Sequence, residues 1–481
     1  MKSTTTNKKP AAPPKHVHFI GICGVGTGAL AVAFKRAGWY VTGSDKGFYP
    51  PVSIALTRAG VEYYPGWHPE NIGEPDIVIA GGSGTSLQNP EIMYVKEHGL
   101  PLLSFAEAIG KYLVKKHSIV CVGTWGKTTT SALLSFILEK ANMRPNYFSG
   151  GVSVDRDAAE MTESDWSVVE GDEYKAAIWD ERPKFSYYKP TDLLITAIAW
   201  DHADLYPTEK EYTAAFEKLI SCLPKDGKLI FCADHASLAK LVARSGHQAL
   251  SYGKNNNSDY RYENIFHTRE GLSFDIVYQG KTYHVKSPML GAYNAENITA
   301  CFAMAREQGI APAVITDSIA EFKGLKRRLE KRYESPDQHV TVIDAHAPTP
   351  DKAKNGLGSI REVYKGKIVA VFEPNIGGRQ RASSASYDGA FTAADTVFIP
   401  RLTKLKIDAK ATEQPLDGGE LARIIKKTQP NVQYVEDDVL LVESAIRYAQ
   451  DLGNDNVIIF LGSHGFRGMI EETIKRLALA K

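Results

Sequence analysis

One stretch of the chain has the residue types and the order that bind the phosphates of a nucleotide. It reads Gly123-Thr124-Trp125-Gly126-Lys127-Thr128-Thr129-Thr130. An apolar segment typical of a strand (118–122) precedes it, and a segment with helical periodicity (131–138) follows. Backbone N–H groups at a helix N-terminus attract an anion, a lysine reaches the outer phosphates, and a threonine hydroxyl can bind Mg²⁺. A strand-to-helix turn that merely contains Lys and Thr is the alternative, but the flanking elements favour a nucleoside triphosphate site.

Acidic residues follow two later predicted strands. The first strand (166–169) runs into Glu170-Gly171-Asp172-Glu173, and the second (193–200) runs into Asp201-His202. An ATPase needs a carboxylate at such a position to complete the coordination shell of Mg²⁺. A solvated acidic turn or a histidine with a purely structural role would show the same residues. The sequence alone therefore leaves both the metal-binding and the structural interpretation open.

A second glycine-rich loop lies near the N-terminus, after a short apolar strand (17–20). Gly24, Gly26 and Ala29 match the G-x-G-x-x-G/A pattern, and Asp45 ends the next predicted strand near the expected ribose-binding position. These residues predict a Rossmann-type nucleotide site in residues 16–114. A nicotinamide cofactor is one alternative, yet many ligands share its pyrophosphate and ribose. A third predicted strand (76–80) ends in small residues that include Ser83.

Composition excludes several classes of protein. The 481 residues carry 57 Lys and Arg against 56 Asp and Glu, so a net charge of +1 offers no field for nucleic acid. The five cysteines have no ligand-like spacing, and no apolar run reaches the length of a membrane helix. The polar residues 1–15 predict a disordered tail rather than a signal peptide. We expect a cytoplasmic enzyme without membrane insertion, as a monomer or weak homo-oligomer.

The last part of the chain alternates predicted strands with helices again. It follows a basic cluster (322–330), which on composition alone would be a solvated face. Asp344, Glu373 and Ser463-His464 end predicted strands, where ligand crevices of doubly wound sheets lie. The chain is therefore predicted to be an α/β protein with a third, doubly wound domain.

The order of these motifs resembles one family, the Mur ligases, which are ATP-dependent peptidoglycan-precursor ligases with three domains. The resemblance runs from His16 to the C-terminus, and the family's motifs match Gly123 to Thr129, Glu170, Asp201-His202, Asn294 with Asn297, and Lys326 to Glu330. It implies a Rossmann-like domain for a UDP-sugar (16–114), a central P-loop ATPase-like domain (115–325), and a Rossmann-like C-terminal domain that binds the incoming amine (326–481). It also implies ATP and Mg²⁺ as cofactors, with a hinge near residues 323–330.

The resemblance assigns roles residue by residue. Catalysis and metal binding are expected of Lys127, Glu170 and His202, with Thr128 as a further metal ligand. The residues expected to bind ATP, with Arg327 acting from the domain junction, are Gly123, Thr124, Gly126, Lys127, Thr128, Thr129, Asn294, Asn297, Arg327 and Asp344. The residues expected to bind the UDP-sugar are Gly21, Gly24, Val25, Gly26, Ser44, Asp45 and Ser83.

Within the family, the chain is most similar to the branch that recycles cell wall by joining L-Ala-γ-D-Glu-meso-diaminopimelate to the lactyl carboxylate of UDP-N-acetylmuramic acid. This similarity is carried by residues 170–174, 180–185, 188–190 and 198–202 and by the turn from Ser463 to Gly468. The reaction passes through an acyl phosphate made with ATP. The alanine-adding branch is the first alternative, and a nicotinamide-dependent oxidoreductase is a remote one. Asp344-Ala345-His346-Ala347-Pro348 is one residue shorter than the family's element.

Overall fold

The computed structural model describes residues 15–82, 86–202, 204–335, 339–403, 414–450, 455–463 and 465–479. The chain divides into two compact units, Met1–Gly151 with Arg156–Ser251 and Val152–Asp155 with Tyr252–Lys481. Within the described ranges, no helix combines the length and the apolar character needed to cross a bilayer.

The first unit begins with a parallel five-stranded sheet, in the order β3-β2-β1-β4-β5. Its strands are β1 (His16–Ile20), β2 (Tyr40–Asp45), β3 (Glu62–Pro65), β4 (Ile77–Ala80) and β5 (Leu102–Ser104). Its helices are α1 (Val25–Arg36), α2 (Val52–Arg58), α3 (Pro90–Glu97) and α4 (Phe105–Tyr112), with a 3₁₀ turn at Pro69–Asn71. The central strands β1 and β4 are buried almost throughout, as expected for a parallel sheet covered on both faces.

The same unit holds a second group of strands in the order β13-β12-β6-β9-β7-β8, parallel except for β8. They are β6 (His117–Val122), β7 (Asn146–Phe148), β8 (Ala159–Glu160), β9 (Trp166–Glu170), β12 (Asp192–Ile195) and β13 (Leu229–Cys232). The helices are α5 (Lys127–Lys140), α6 (Glu209–Ser221) and α7 (Ala236–Ser245). The chain leaves the unit within β14 (Ala249–Gly253).

A separate antiparallel hairpin joins the two sheets of this unit. It consists of β10 (Lys175–Ala177) and β11 (Asp180–Pro183), followed by a 3₁₀ turn at Lys184–Tyr187. Ile178 and Trp179 at its tip pack against the apolar cluster of the first sheet, and the Lys96 ammonium lies 5.6 Å from the Trp179 ring centroid. The hairpin therefore fastens the phosphate-loop region to the N-terminal sheet.

The second unit begins with an antiparallel meander of β15 (Tyr260–Thr268), β16 (Gly271–Tyr278) and β17 (Lys281–Ser287). Helices α8 (Asn294–Glu307) and α9 (Pro312–Glu321) pack against it. This meander is not among the elements predicted from the sequence. Its strands alternate short apolar and polar residues, so no continuous apolar run marks them.

A six-stranded sheet completes the second unit, in the order β18-β19-β23-β20-β21-β22, parallel except for β18. Its strands are β18 (Glu330–Ser335), β19 (Val340–Ala345), β20 (Ile368–Glu373), β21 (Thr396–Pro400), β22 (Val432–Val435) and β23 (Asn456–Gly462). Its helices are α10 (Pro350–Val363), α11 (Gly418–Ile425), α12 (Asp438–Ala449) and α13 (Met469–Leu479), with 3₁₀ turns at Gly377–Arg379, Arg381–Tyr387 and Phe466–Gly468. Successive residues of β20 pack in different apolar cores. Ile368 and Ala370 lie in one core, and Val369 and Val371 lie in the other. Because side chains alternate along a strand, this sheet is doubly wound as predicted.

Every strand predicted from an apolar run is present, and the α/β class is confirmed. One strand is shorter than expected: β12 ends at Ile195, and residues 196–200 continue as irregular chain beneath the phosphate loop. The three domain boundaries taken from the resemblance stay a prediction.

Candidate functional site

The phosphate loop connects β6 to α5 through two glycines that no other residue replaces without strain. Gly123 has φ +134°, and a Cβ there would lie 2.2 Å from the Thr196 hydroxyl oxygen. Gly126 has φ +83° and caps the N-terminus of α5. The Thr196 hydroxyl contacts the carbonyl oxygens of Val122, at 3.1 Å, and Trp125. These contacts of Thr196 therefore stabilise the conformation of the loop.

Thr124, predicted to bind ATP, has a structural role in the loop. Its hydroxyl donates to the Ala199 carbonyl at 2.9 Å and accepts the Ala199 N–H at 2.9 Å. The Tyr212 hydroxyl lies 2.9 Å from the same oxygen. These contacts fix the loop to the chain that follows β12. Thr129, also predicted, is buried in the first turn of α5.

Lys127 begins α5 and pairs with a carboxylate that the sequence analysis did not select. Its Nζ lies 2.6 Å from Oε2 of Glu173, whose side chain is only 1% exposed. The Tyr206 hydroxyl donates to the Glu173 carbonyl at 2.6 Å, and His202 Nε2 lies 3.6 Å from Oε1. Glu173 is therefore the hub of the site. The acidic run after β9 was the only signal for it, and a run does not say which of its side chains turns inward.

Thr128 and Glu170 form the second pair at the start of α5. The Thr128 hydroxyl donates to Glu170 Oε1 at 3.1 Å, and the Gly150 N–H donates to Oε2 at 2.5 Å. Burial raises the pKa of the Glu170 carboxyl, so a nearby cation would favour its charged form. A carboxylate and a hydroxyl at a phosphate loop are the oxygen ligands that Mg²⁺ takes, and the pair fits that ion.

The three residues predicted to bind the metal do not lie in one group. Thr128 and Glu170 are together, whereas His202 lies against Glu173. The Glu173 contact raises the pKa of His202 despite its partial burial, and the residue has φ +54°. Protonated His202 would add a second positive charge beside Lys127.

Asp172 lies between these glutamates in sequence and anchors the hairpin of β10 and β11. Its carboxylate pairs with Lys184. Burial alone would raise the pKa of Asp172, but the Lys184 ammonium, helped by Lys127, holds it below its ordinary value. The segment from Tyr174 to Pro190 is thus tied to the phosphate site at its base and to the N-terminal sheet at its tip.

The N-terminal glycine loop has a different construction. Gly21 and Ile22 donate their N–H groups to the Ser44 carbonyl at 2.8 and 3.0 Å, and Cys23 donates to the Asp45 carboxylate at 2.8 Å. Gly24 is the N-cap of α1, and Val25 is half exposed beside it. The Phe105 ring lies 3.1 Å from where a Cβ of Gly26 would be. The first turn of α1 carries no cation.

Two serines predicted to bind the UDP-sugar differ in position. The Ser44 side chain is fully buried and donates to the Glu91 carboxyl, so a sugar contact would have to come from its backbone. Burial raises the pKa of Glu91. Ser83 lies outside the described residues.

Arg327 and Asp344 lie together in the second unit. The Arg327 guanidinium donates to the carbonyls of Ser463 and Gly462 at 2.8 and 2.9 Å and to Asp344 at 3.4 Å. Asp344 is 2% exposed and also faces Arg332, and its burial raises its pKa. Within the basic cluster, Arg327 is therefore not a solvated side chain. It ties the segment before β18 to the end of β23. Its expected contact with ATP stays a prediction.

Asn294 and Asn297 open helix α8 and are both buried. The Asn294 amide donates to the Leu290 carbonyl at 2.8 Å, and the Asn297 amide donates to Asn294 Oδ1 at 3.1 Å. These bonds are internal to the protein, and the ATP contact expected of both residues stays a prediction. His464, named with Ser463 in the sequence analysis, lies outside the described residues.

Comparison with known proteins gives the same family along nearly the whole chain. Residues 16–117 match the model of the Mur ligase family catalytic domain, residues 122–305 the Mur ligase middle domain, and residues 327–464 the Mur ligase glutamate ligase domain. The N-terminal glycine loop thus belongs to a ligase, and the nicotinamide alternative is wrong.

Individual relatives come from two branches. The UDP-N-acetylmuramate–L-alanyl-γ-D-glutamyl-meso-2,6-diaminoheptandioate ligase of Haemophilus influenzae is 32% identical over 75% of this chain and 80% of its own. The UDP-N-acetylmuramate–L-alanine ligase of Chlorobium phaeobacteroides is 28% identical over 93% of this chain and 94% of its own. The solved UDP-N-acetylmuramate–alanine ligase of Thermotoga maritima has the same fold, with a TM-score of 0.77 at 24% identity over 97% of this chain and 100% of that one.

The fold is that of the three-domain Mur ligases, with an N-terminal Rossmann-like domain, a central P-loop ATPase-like domain and a C-terminal Rossmann-like domain. With matching models over all three domains and a relative above 30% identity, the chain belongs to the Mur ligase family of ATP-dependent ligases that act in peptidoglycan synthesis or recycling.

Proposed function

We propose that the protein joins L-Ala-γ-D-Glu-meso-diaminopimelate to the lactyl carboxylate of UDP-N-acetylmuramic acid. The carboxylate oxygen attacks the γ-phosphorus of ATP and ADP leaves, which gives an acyl phosphate. The peptide's amine nitrogen then attacks the acyl carbon, the C–O bond to phosphate breaks, and the amine loses a proton. Phosphate replaces oxide as the leaving group, because an amide cannot form directly from a carboxylate at neutral pH.

The observation that carries the proposal is the pairing of Lys127 with buried Glu173 beside Thr128 and Glu170. The helix N-terminus and the loop N–H groups would bind the β- and γ-phosphates, and Lys127 would move from Glu173 towards the transferring group. Lys127 starts in a site from which water is largely excluded, where a charge acts strongly. His202, whose pKa the Glu173 contact raises, would support the same electrostatic task when protonated.

Mg²⁺ would be held by Glu170 and the Thr128 hydroxyl. Bound there, it would neutralise charge on the phosphates. Glu170 is kept in place by the Gly150 N–H, and a Cβ at Gly150 would come within 2.8 Å of the carboxylate. The close approach of that backbone restricts the position of the carboxylate.

The nature of the amine is the finer part of the proposal. The hairpin contacts give the segment from Tyr174 to Pro190 a structural role, and its link to peptide specificity stays a prediction. Support comes from the carboxyl ends of β21 and β23, where the exposed Arg401 and the partly exposed Arg467 both pair with Asp438, and Arg467 also contacts Glu373. A peptide carboxylate would have to exchange with these internal partners. Two guanidinium groups suit a peptide with several carboxylates better than they suit alanine.

The alanine-adding reaction is the second candidate, because the alanine ligases align with this chain over a greater length than the tripeptide ligase does. It uses the same activation chemistry with a smaller amine.

The test is phosphate release from ATP with Mg²⁺ and UDP-N-acetylmuramic acid, comparing L-alanine with the tripeptide. The proposal expects release with the tripeptide, and ¹⁸O from the labelled lactyl carboxylate should appear in the phosphate. Arg401→Ala should raise the KM for the tripeptide about threefold to tenfold with little change in the KM for ATP. Release with alanine alone would move the enzyme to precursor synthesis, and unlabelled phosphate would reject the acyl phosphate.

A further inference from the structure

His267 connects three parts of the second unit through its two ring nitrogens. It lies near the end of β15, and its side chain is 7% exposed. Its Nε2 is 2.9 Å from the backbone nitrogen of Gly291, and its Nδ1 is 3.4 Å from Oε2 of Glu362 on α10. No role was predicted for this residue.

These two contacts define the protonation state of the ring. A backbone N–H can only donate, so Nε2 must carry a lone pair and accept the Gly291 proton. The single proton of the neutral ring then lies on Nδ1, where the Glu362 carboxylate accepts it. A doubly protonated ring would turn Nε2 into a donor facing another donor, and the bond to Gly291 would be lost.

Gly291 belongs to the turn that opens helix α8. Its φ of +95° is one that side chains rarely adopt, and its carbonyl accepts the Asn294 N–H at 2.9 Å. Leu290, just before it, packs in one apolar core of the C-terminal sheet and accepts the Asn294 amide. The bond from Gly291 to His267 therefore helps to set where Asn294 and Asn297 lie.

We propose, resting on the proposed use of ATP and on the ATP contact expected of Asn294 and Asn297, that His267 is a positioning residue for nucleotide binding. As a neutral ring it holds the Gly291 turn that orients Asn294 and Asn297, and protonation of Nε2 releases that turn.

The surroundings determine the direction of the pH dependence. Burial lowers the pKa of His267 below its ordinary value of 6.5, and the Glu362 carboxylate opposes this effect. On β16 the residue opposite is Leu272, while α8 carries Glu296 in its first turn. Arg269, two residues further along, is paired with Glu334 and Asp455. Since the competent form is neutral, nucleotide binding should hold above pH 6.5 and weaken as the pH falls through the lowered pKa.

The experiment measures kcat and the KM for ATP from about pH 5 to about pH 8 for the wild type and three variants. His267→Ala removes the acceptor, and His267→Gln replaces it with an amide oxygen that does not titrate. His284→Gln is the matched control, because His284 is an exposed histidine on the same meander that pairs with Asp275.

We expect the wild-type KM to rise about fivefold at low pH, which corresponds to about 1 kcal/mol for one hydrogen bond. His267→Ala should show that raised KM at every pH with kcat changed less than about twofold, and His267→Gln should have a low, pH-independent KM. The control should follow the wild type. A wild-type profile in His267→Ala would overturn the proposal.

A second readout requires no turnover. Hydrogen exchange at the Gly291 amide should be faster in His267→Ala than in His267→Gln, and unchanged exchange would overturn the positioning role. If the wild type used no ATP, the proposed function would fail. The exchange result would still show whether His267 holds the turn.

Discussion

The loop after β1 and the loop after β6 share one local design and differ in what surrounds it. Each joins a parallel strand to a helix through glycines, and the helices have 12 and 14 residues. The first loop is held by backbone bonds to Ser44 and by the Asp45 carboxylate, with Val25 and Gly26 starting the helix. The second starts its helix with Lys127 and Thr128, each in contact with a buried glutamate.

The difference separates holding an anion from transferring a phosphoryl group. Backbone N–H groups at a helix N-terminus are enough to bind a diphosphate. Transfer also needs charge that is present before the reaction, in a site where solvent does not screen it. Only the loop after β6 has such charge, and it comes from side chains rather than from the backbone motif.

Of the changes that test this difference between the two loops, replacing Lys127 should have the largest effect on kcat. Lys127→Ala is expected to lower kcat about a hundredfold to a thousandfold, as the loss of one charge-stabilising group does elsewhere, and to leave UDP-sugar binding unchanged. Phosphate release and calorimetric titration measure the two quantities. Lys140→Ala at the other end of α5 serves as the control, and wild-type turnover in Lys127→Ala would remove the phosphate-loop assignment.

The second-largest decrease in kcat should come from replacing Glu173, the carboxylate that contacts both Lys127 and His202 and was not predicted from the sequence. Glu173→Gln should lower kcat about tenfold to a hundredfold, the range typical of groups that orient a reactive centre, because Lys127 and His202 lose their shared charge partner. NMR titration should give a lower pKa for His202 in the variant than in the wild type, since the Glu173 contact raises it. Glu181→Gln, an exposed change in the same segment, should alter neither quantity.

The two helix N-caps should respond differently to a single methyl group. Gly126→Ala puts a Cβ on a residue with φ +83°, which costs about 1–2 kcal/mol, so both Tm and affinity for ATP should fall. Gly24 has φ −63°, and a Cβ there would lie 3.2 Å from the Thr27 hydroxyl oxygen, so Gly24→Ala should lower the Tm less than Gly126→Ala and raise mainly the KM for the UDP-sugar. Equal losses of Tm in thermal unfolding would mean that the two caps are under the same constraint.

The smallest effect should be in the pH dependence of Mg²⁺ use. Only ionised Glu170 binds the cation, and burial raises its pKa above the ordinary 4.5. The Mg²⁺ concentration for half-maximal rate should therefore start to rise, as pH falls, at a higher pH than an exposed glutamate would give. Glu170→Gln should need more Mg²⁺ at every pH and lose this dependence. A parallel dependence in both proteins would assign the titration to another group.

Local patterns predicted the fold well and the site only in part. Apolar runs of four to six residues marked the buried parallel strands, because both faces of such a strand need apolar side chains. The meander of β15 to β17 and the hairpin of β10 and β11 have no such runs. The hairpin's role depends on Ile178 and Trp179 reaching an apolar cluster built from residues far away in sequence.

The sequence by itself determined the α/β alternation, the phosphate loop and the similarity to the Mur ligases, because each depends on residues that are close along the chain. The tertiary structure alone decided that Lys127 meets Glu173, that Arg327 holds the end of β23, and that His267 holds Gly291. Each of these contacts joins segments that approach only after the sheets have formed. The direction of a side chain beyond the end of a strand depends on the path of its loop, which local periodicity does not encode.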